Sequence, residues 1–142
     1  MKNNKTTVVK GNSTKRSWNL VDLSGQSWGR SATKIAPLLI GKHKIDYSPN
    51  RDAGDYVVAI NASKISITGK KLDQKIYYHH SGFTGNLKEL TLRQLFKKDP
   101  RQVIYLAVRG MLPKNKLRSK RLTRLKIFIG DQHQYADKFK KS

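Results

Sequence analysis

No cysteine occurs in the 142 residues. Disulfide frameworks, thiolate nucleophiles and cysteine zinc sites are excluded together, and the chain suits a reducing interior. Acids are scarce as well. Nine Asp and Glu face thirty Lys and Arg, and Glu89 is the single glutamate. Paired carboxylates for general acid–base chemistry are hard to assemble from so few acids, most of them in turns or helix caps. No apolar run approaches the roughly 20 residues that cross a bilayer. The polar, basic stretch Met1 to Arg16 has no apolar centre of a secretory signal. The loop Gly25-Gln26-Ser27-Trp28-Gly29-Arg30-Ser31 has the look of a phosphate loop, but its glycines are one residue too close and Arg stands where Lys is required. His43, Asp46 and Ser48 match no nucleophile elbow. His79 and His80, adjacent on an extended segment, point to opposite faces, so the histidines form no obvious metal set. The sequence is therefore read as non-enzymatic, with no cofactor, no metal, no membrane and no small-molecule substrate.

What is abundant is positive charge, a formal +21. Such a charge opposes compaction by self-repulsion unless a polyanion relieves it. Nucleic acid is the commonest such partner, and an anionic membrane surface is the alternative. Hydrophobic residues make up 37% of the chain, enough for one domain of this length.

Residues 1–15 hold four lysines and no acid, which reads as a basic N-terminal arm too polar to fold alone. Residues 16–133 read as one domain and 134–142 as a loose polar tail. Trp18 to Leu23 is strand-like. Ala32, Ile35, Ala36 and Leu39 recur at helical spacing, which predicts a helix over 29–40, with a kink or early end at Pro37. Residues 46–55 are turn chemistry. Tyr56-Val57-Val58-Ala59-Ile60 suits a strand covered on both faces, and Ile76 to His80 a further strand. Thr91 and Gln94 have capping-box spacing, and Asp99-Pro100 repeats a helix start. Val103, Ala107 and Met111 form one stripe beside Ile104, Val108 and Leu112. Leu125, Ile127 and Ile129 alternate as a last strand. Together these predict a single α/β domain, with a small, largely parallel sheet and helices on both faces.

The strongest purely physical signal lies at 109–126, where eight cations and no acid fall within eighteen residues. At helical spacing these charges repel one another, so Arg109, Lys114, Lys116, Arg118, Lys120, Arg121 and Arg124 suggest phosphate contacts. Lys42, His43, Lys44 and Arg51 supply charge from a second loop. Lys70 and Lys71 form a basic turn, and His79 and His80 end a strand before the glycine-rich loop to Gly85. That strand is expected in the parallel sheet with its C-terminal loop on the binding side, so that Tyr77 to Gly85, Gly41 to Asp55 and the 109–126 cluster form one continuous RNA-facing surface opposite a less basic face.

The ordered series of blocks at Gly41-Lys42-His43-Lys44, Tyr47-Ser48-Pro49, Asp52-Ala53-Gly54-Asp55, Asn61-Ala62-Ser63-Lys64, Thr68-Gly69-Lys70-Lys71, Lys75-Ile76-Tyr77-Tyr78-His79-His80 and Gly110-Met111-Leu112-Pro113-Lys114 resembles the large-subunit ribosomal protein L-thirteen family, in its bacterial and organellar branch. The resemblance spans about residues 16–133. It implies an α/β fold, no catalysis, a place in the cytoplasmic ribosome, and binding to large-subunit rRNA beside neighbouring large-subunit ribosomal proteins during early assembly. The alternative is an RNA-binding regulator that acts on mRNA off the ribosome.

Overall fold

The computed structural model describes residues 15–139. Almost all of the expected N-terminal arm lies outside them. Strand β1 (Trp18–Asp22), helix α1 (Trp28–Ile40) and strand β2 (Tyr56–Ile60) open the fold. A single 3-10 turn at Ala62–Lys64 and a one-turn helix α2 (Lys71–Gln74) follow. Next come a hairpin of β3 (Ile76–His80) and β4 (Leu87–Thr91), helices α3 (Leu92–Lys98), α4 (Pro100–Met111) and α5 (Leu117–Thr123), and strand β5 (Leu125–Ile127).

The main sheet runs β1-β2-β5 with both pairings parallel. Central β2 buries Val57, Val58 and Ala59 completely, as its unbroken apolar run requires. Val57 and Ala59 join Ile35, Leu39, Ile104, Val108 and Leu122 in one core. On the opposite face Trp18 stacks on Tyr56 at 4.4 Å, and Tyr135 stacks on Trp18 at 5.0 Å. Phe139 meets Trp18 edge-on. The segment expected as a loose tail thus supplies two rings to the sheet as far as residue 139. Its aromatics, not its polar majority, decide its path.

Helix α1 does not end at Pro37 but runs on to Ile40. Leu39 and Ile40 are buried, and their burial, about 1.5–3 kcal/mol each, offsets the roughly 3 kcal/mol that an interior proline costs. The helix stops at Gly41, whose φ of 88° suits a residue without Cβ and whose N–H donates to the Pro37 carbonyl. The expected caps form at both later helices. Thr91 and Gln94 make the reciprocal box, and the Asp99 side chain accepts from the Arg101 N–H with Pro100 in the first turn. Of the two stripes on α4, Ile104, Val108 and Leu112 are buried. The other is buried at Val103 and emerges at Met111.

One expectation about topology fails. Strand β3 does not join the parallel sheet; it pairs antiparallel with β4 in a separate hairpin. Leu87-Lys88-Glu89-Leu90-Thr91 has little β-branched or aromatic content, so nothing local marks it as a strand. It is extended because β3 offers it a ladder and because Gly82 and Gly85, both at positive φ, close the turn.

The carboxyl end of α1 rests directly on the loop before β2. A Cβ on Gly54 would lie 1.8 Å from the Leu39 carbonyl oxygen. Gly54→Ala should therefore cost about 2–3 kcal/mol, or roughly 10 °C in Tm. Gly110, with open space where its Cβ would be, should accept Ala with a neutral or slightly raised Tm, because Ala is the better helix former. Thermal unfolding of both variants followed by circular dichroism checks the contrast, and equal melting temperatures would contradict it.

Candidate nucleic-acid interface

Two aspartates organise the basic residues at the amino-terminal edge of the sheet. Both sit on the loop between α1 and β2, which must cross under the end of α1 to reach its strand. Asp55 is fully buried and its N–H donates to the Leu38 carbonyl. Its carboxylate accepts from Lys44 Nζ at 2.5 Å, His43 Nε2 at 2.8 Å and the Ser17 N–H at 3.0 Å. Burial alone would push this carboxyl up. The hydrogen bonds from Lys44, Ser17 and His43, with the Lys44 charge, outweigh it and hold the group below the ordinary carboxylate range.

Asp52 accepts a two-pronged contact from Arg124, Nη1 at 2.7 Å and Nη2 at 2.5 Å. Arg16 reaches it at 3.5 Å and Arg121 at 3.9 Å. Arg124 also donates to the Leu39 carbonyl at 3.3 Å. The Pro37, Leu38 and Leu39 carbonyls in the last turn of α1 thereby accept from Gly41 and Lys42, from Asp55 and from Arg124. The guanidinium also lies where the helix dipole favours a cation.

This arrangement divides the cations expected to meet phosphate. Arg121 and Arg124 are 1% and 4% exposed, and they face Asp52 inside the protein. Both are largely withdrawn from solvent, and Asp52 is the counter-charge they share. Lys44 is largely buried against Asp55, and His43 is bound to it though partly exposed. Arg51, also partly buried, pairs with Asp46 at 3.7 Å. Lys42, Lys70, Lys71, Arg109, Lys114, Lys116 and Lys120 are exposed, as are His79 and His80. Arg118 is intermediate and donates to the Arg109 carbonyl. Sequence reading did not single out Arg16, which is bound to Asp52; a lone Arg at the end of a polar arm carries no local signal.

The three segments expected in one surface meet in two places. Residues 46–55 and α5 do meet. Arg16, Arg51, Asp52, Tyr56, Leu117, Lys120, Thr123 and Arg124 line a cleft of about 690 Å³. The base of the hairpin meets α4 instead, where Lys71, Lys75 and Tyr77 line a second cleft with Gly110 and Met111. Lys75, just before β3, sits 5.7 Å over the Trp28 ring at the start of α1, and the loop 41–55 is at its other end. A helix of 13 residues separates them by roughly 20 Å.

The acids predict a pH dependence. A carboxyl whose folded pKa is lowered contributes stability above its unfolded value of about 3.9, and that contribution is lost as pH falls through the folded value. Urea midpoints of the wild type should fall on acidification below about pH 4, and Asp55→Asn should flatten that fall while lowering stability at pH 7. Asp52→Ala, which strands Arg121 and Arg124, should cost about 3–5 kcal/mol at neutral pH. Wild-type stability for either variant at pH 7 would contradict the organising role of these acids.

A family model described as ribosomal protein L13 matches residues 16–134. A Thermotoga petrophila protein named large ribosomal subunit protein uL13 is 52% identical over 131 residues, covering 92% of this chain and 88% of its own. A protein of the same name from Clostridioides difficile is 51% identical over 132 residues, covering 93% and 92%. Another from Vesicomyosocius okutanii is 48% identical over 131 residues, covering 92% of each. The match takes in both organising aspartates, the hairpin and the basic helix α5, and on it this chain belongs to the ribosomal protein L13 family.

Proposed function

We propose that this chain is a structural constituent of the large ribosomal subunit, in the cytoplasmic ribosome, and that it holds rRNA segments together by neutralising their phosphates. It is not an enzyme. Early subunit assembly is the stage at which such neutralisation matters most, since rRNA segments repel until their charge is screened. The observation that carries the reading is the division of the cations. Asp52 and Asp55 are spent on Arg16, Lys44, Arg121 and Arg124. Lys114, Lys116 and Lys120 stay exposed, in a stretch from 114 to 126 that holds no acid at all. Lys42, Lys70, Lys71 and Arg109 extend the basic surface beyond it. A-form RNA is recognised largely through shape, phosphates and 2′-hydroxyls, so no base readout is required. No helix among the described residues is long and apolar enough to cross a membrane.

The test is the salt dependence of binding to large-subunit rRNA fragments. Replacing Lys114, Lys116 and Lys120 with Ala should weaken binding and flatten the slope of log K against log[salt] by roughly one unit for each phosphate no longer neutralised. Arg121 is left out of the set because it is buried, so its loss would disturb the fold. An unchanged slope would remove this stretch from the interface. Absence of the wild-type chain from salt-washed large subunits would remove the ribosomal role.

A further inference from the structure

The outer face of the hairpin differs from the rest of this chain. Cross-strand partners share a face, so Ile76, Tyr78, His80, Leu87, Glu89 and Thr91 lie together on one side of β3–β4. None of the six is Lys or Arg, in a chain with thirty of them. Ile76 is 38% exposed, Tyr78 64% and Leu87 54%. The opposite side carries Tyr77, His79, Lys88 and Leu90; there the Lys75 ammonium, extending from the residue before β3, sits 5.4 Å from the Tyr77 ring. A two-stranded ribbon with an apolar face in water is marginal unless something covers it, and contiguous apolar exposure marks an interaction site.

Charge indicates what covers it. Asp46, Asp52, Asp55, Asp73 and Asp99 each pair with a cation of the chain itself. Glu89 makes no ion pair among the described residues and stands directly across from Tyr78. An RNA backbone meets repulsion from that carboxylate and finds no Lys or Arg on this face to hold a phosphate. A protein segment that presents Lys or Arg beside apolar side chains meets both an aromatic–aliphatic surface and a counter-charge, the pattern of an interface with a central aromatic.

We infer that the outer face of β3–β4 is a protein-docking surface for a basic, partly apolar segment of a neighbouring protein in the particle, with Tyr78 as its anchor and Glu89 as its charge partner. This rests on the ribosomal role proposed above. The inner side, with His79 and Lys88, remains available to RNA.

The experiment places a photo-crosslinking phenylalanine derivative at position 78, or at 87, in the full chain. Large subunits carrying the labelled chain are purified and irradiated, and the adducts are mapped after nuclease and protease digestion. Both positions are exposed, so the label leaves the core intact. The expected result is an adduct to one protein peptide that holds Lys or Arg among apolar residues, reduced several-fold by Glu89→Lys and less by Glu89→Gln. The same label at Lys88, on the inner side, should not give that peptide. An adduct chiefly to rRNA from positions 78 and 87, or none from either, would overturn the inference. So would a peptide adduct unaffected by Glu89→Lys. Each of these results is read in subunits that contain the chain, so it leaves the ribosomal role standing. Failure of the unlabelled chain to enter subunits would count against that role instead.

Discussion

Two aspartates on one loop hold together the buried cations of a chain of charge +21. Asp52 and Asp55 sit where the end of α1, the start of β2 and the α5–β5 junction converge, and each gathers cations from distant parts of the sequence. Without them, Arg121 and Arg124 would be buried charges with nothing opposite, an arrangement worse than an apolar core. With them, the same guanidinium that neutralises Asp52 also donates to the Leu39 carbonyl near the end of α1. The basic character of this chain is thus partly architectural. Gly54 belongs to the same constraint, because the loop can bring both acids this close to α1 only if the residue just before Asp55 has no side chain.

The consequence for function is a sorting of like residues by environment. Seven cations between 114 and 126 are indistinguishable in composition. The fold turns Arg121 and Arg124 inward at the end of α5 and leaves Lys114, Lys116 and Lys120 outside. Arg suits the interior role, since its planar fork can hold both carboxylate oxygens of Asp52 at once. Lys suits the exterior one, where a mobile point charge can adjust to a phosphate. That division gives the family's place in the large subunit a physical basis in this chain.

The parallel sheet, the buried central strand and both helix caps were legible because each rests on a local pattern: an unbroken run of apolar residues, a Thr three residues before a Gln, an Asp before a Pro. The hairpin was half legible. Ile76 to His80 has strand character of its own, whereas Leu87 to Thr91 becomes a strand only through its partner, so the pairing and the sheet it belongs to were not readable. The site shows the same limit. Abundance of charge pointed to RNA, but which cations face outward depends on Asp52, which is 69 residues from Arg121 in sequence and 3.9 Å from it in the fold. Aromatic packing between Trp18 and Tyr135 is equally non-local, so the C-terminal segment looked polar and loose when read alone.

The sorting of cations is tested most directly by a high-resolution structure of the assembled large subunit containing this chain. If the two aspartates sort them, Lys44, Arg121 and Arg124 remain on Asp55 and Asp52, while Lys114, Lys116 and Lys120 come within about 4 Å of rRNA phosphate oxygens, the reach of an ion pair. Phosphates contacting Arg121 or Arg124 with Asp52 displaced, and Lys114, Lys116 and Lys120 left in bulk solvent, would contradict it.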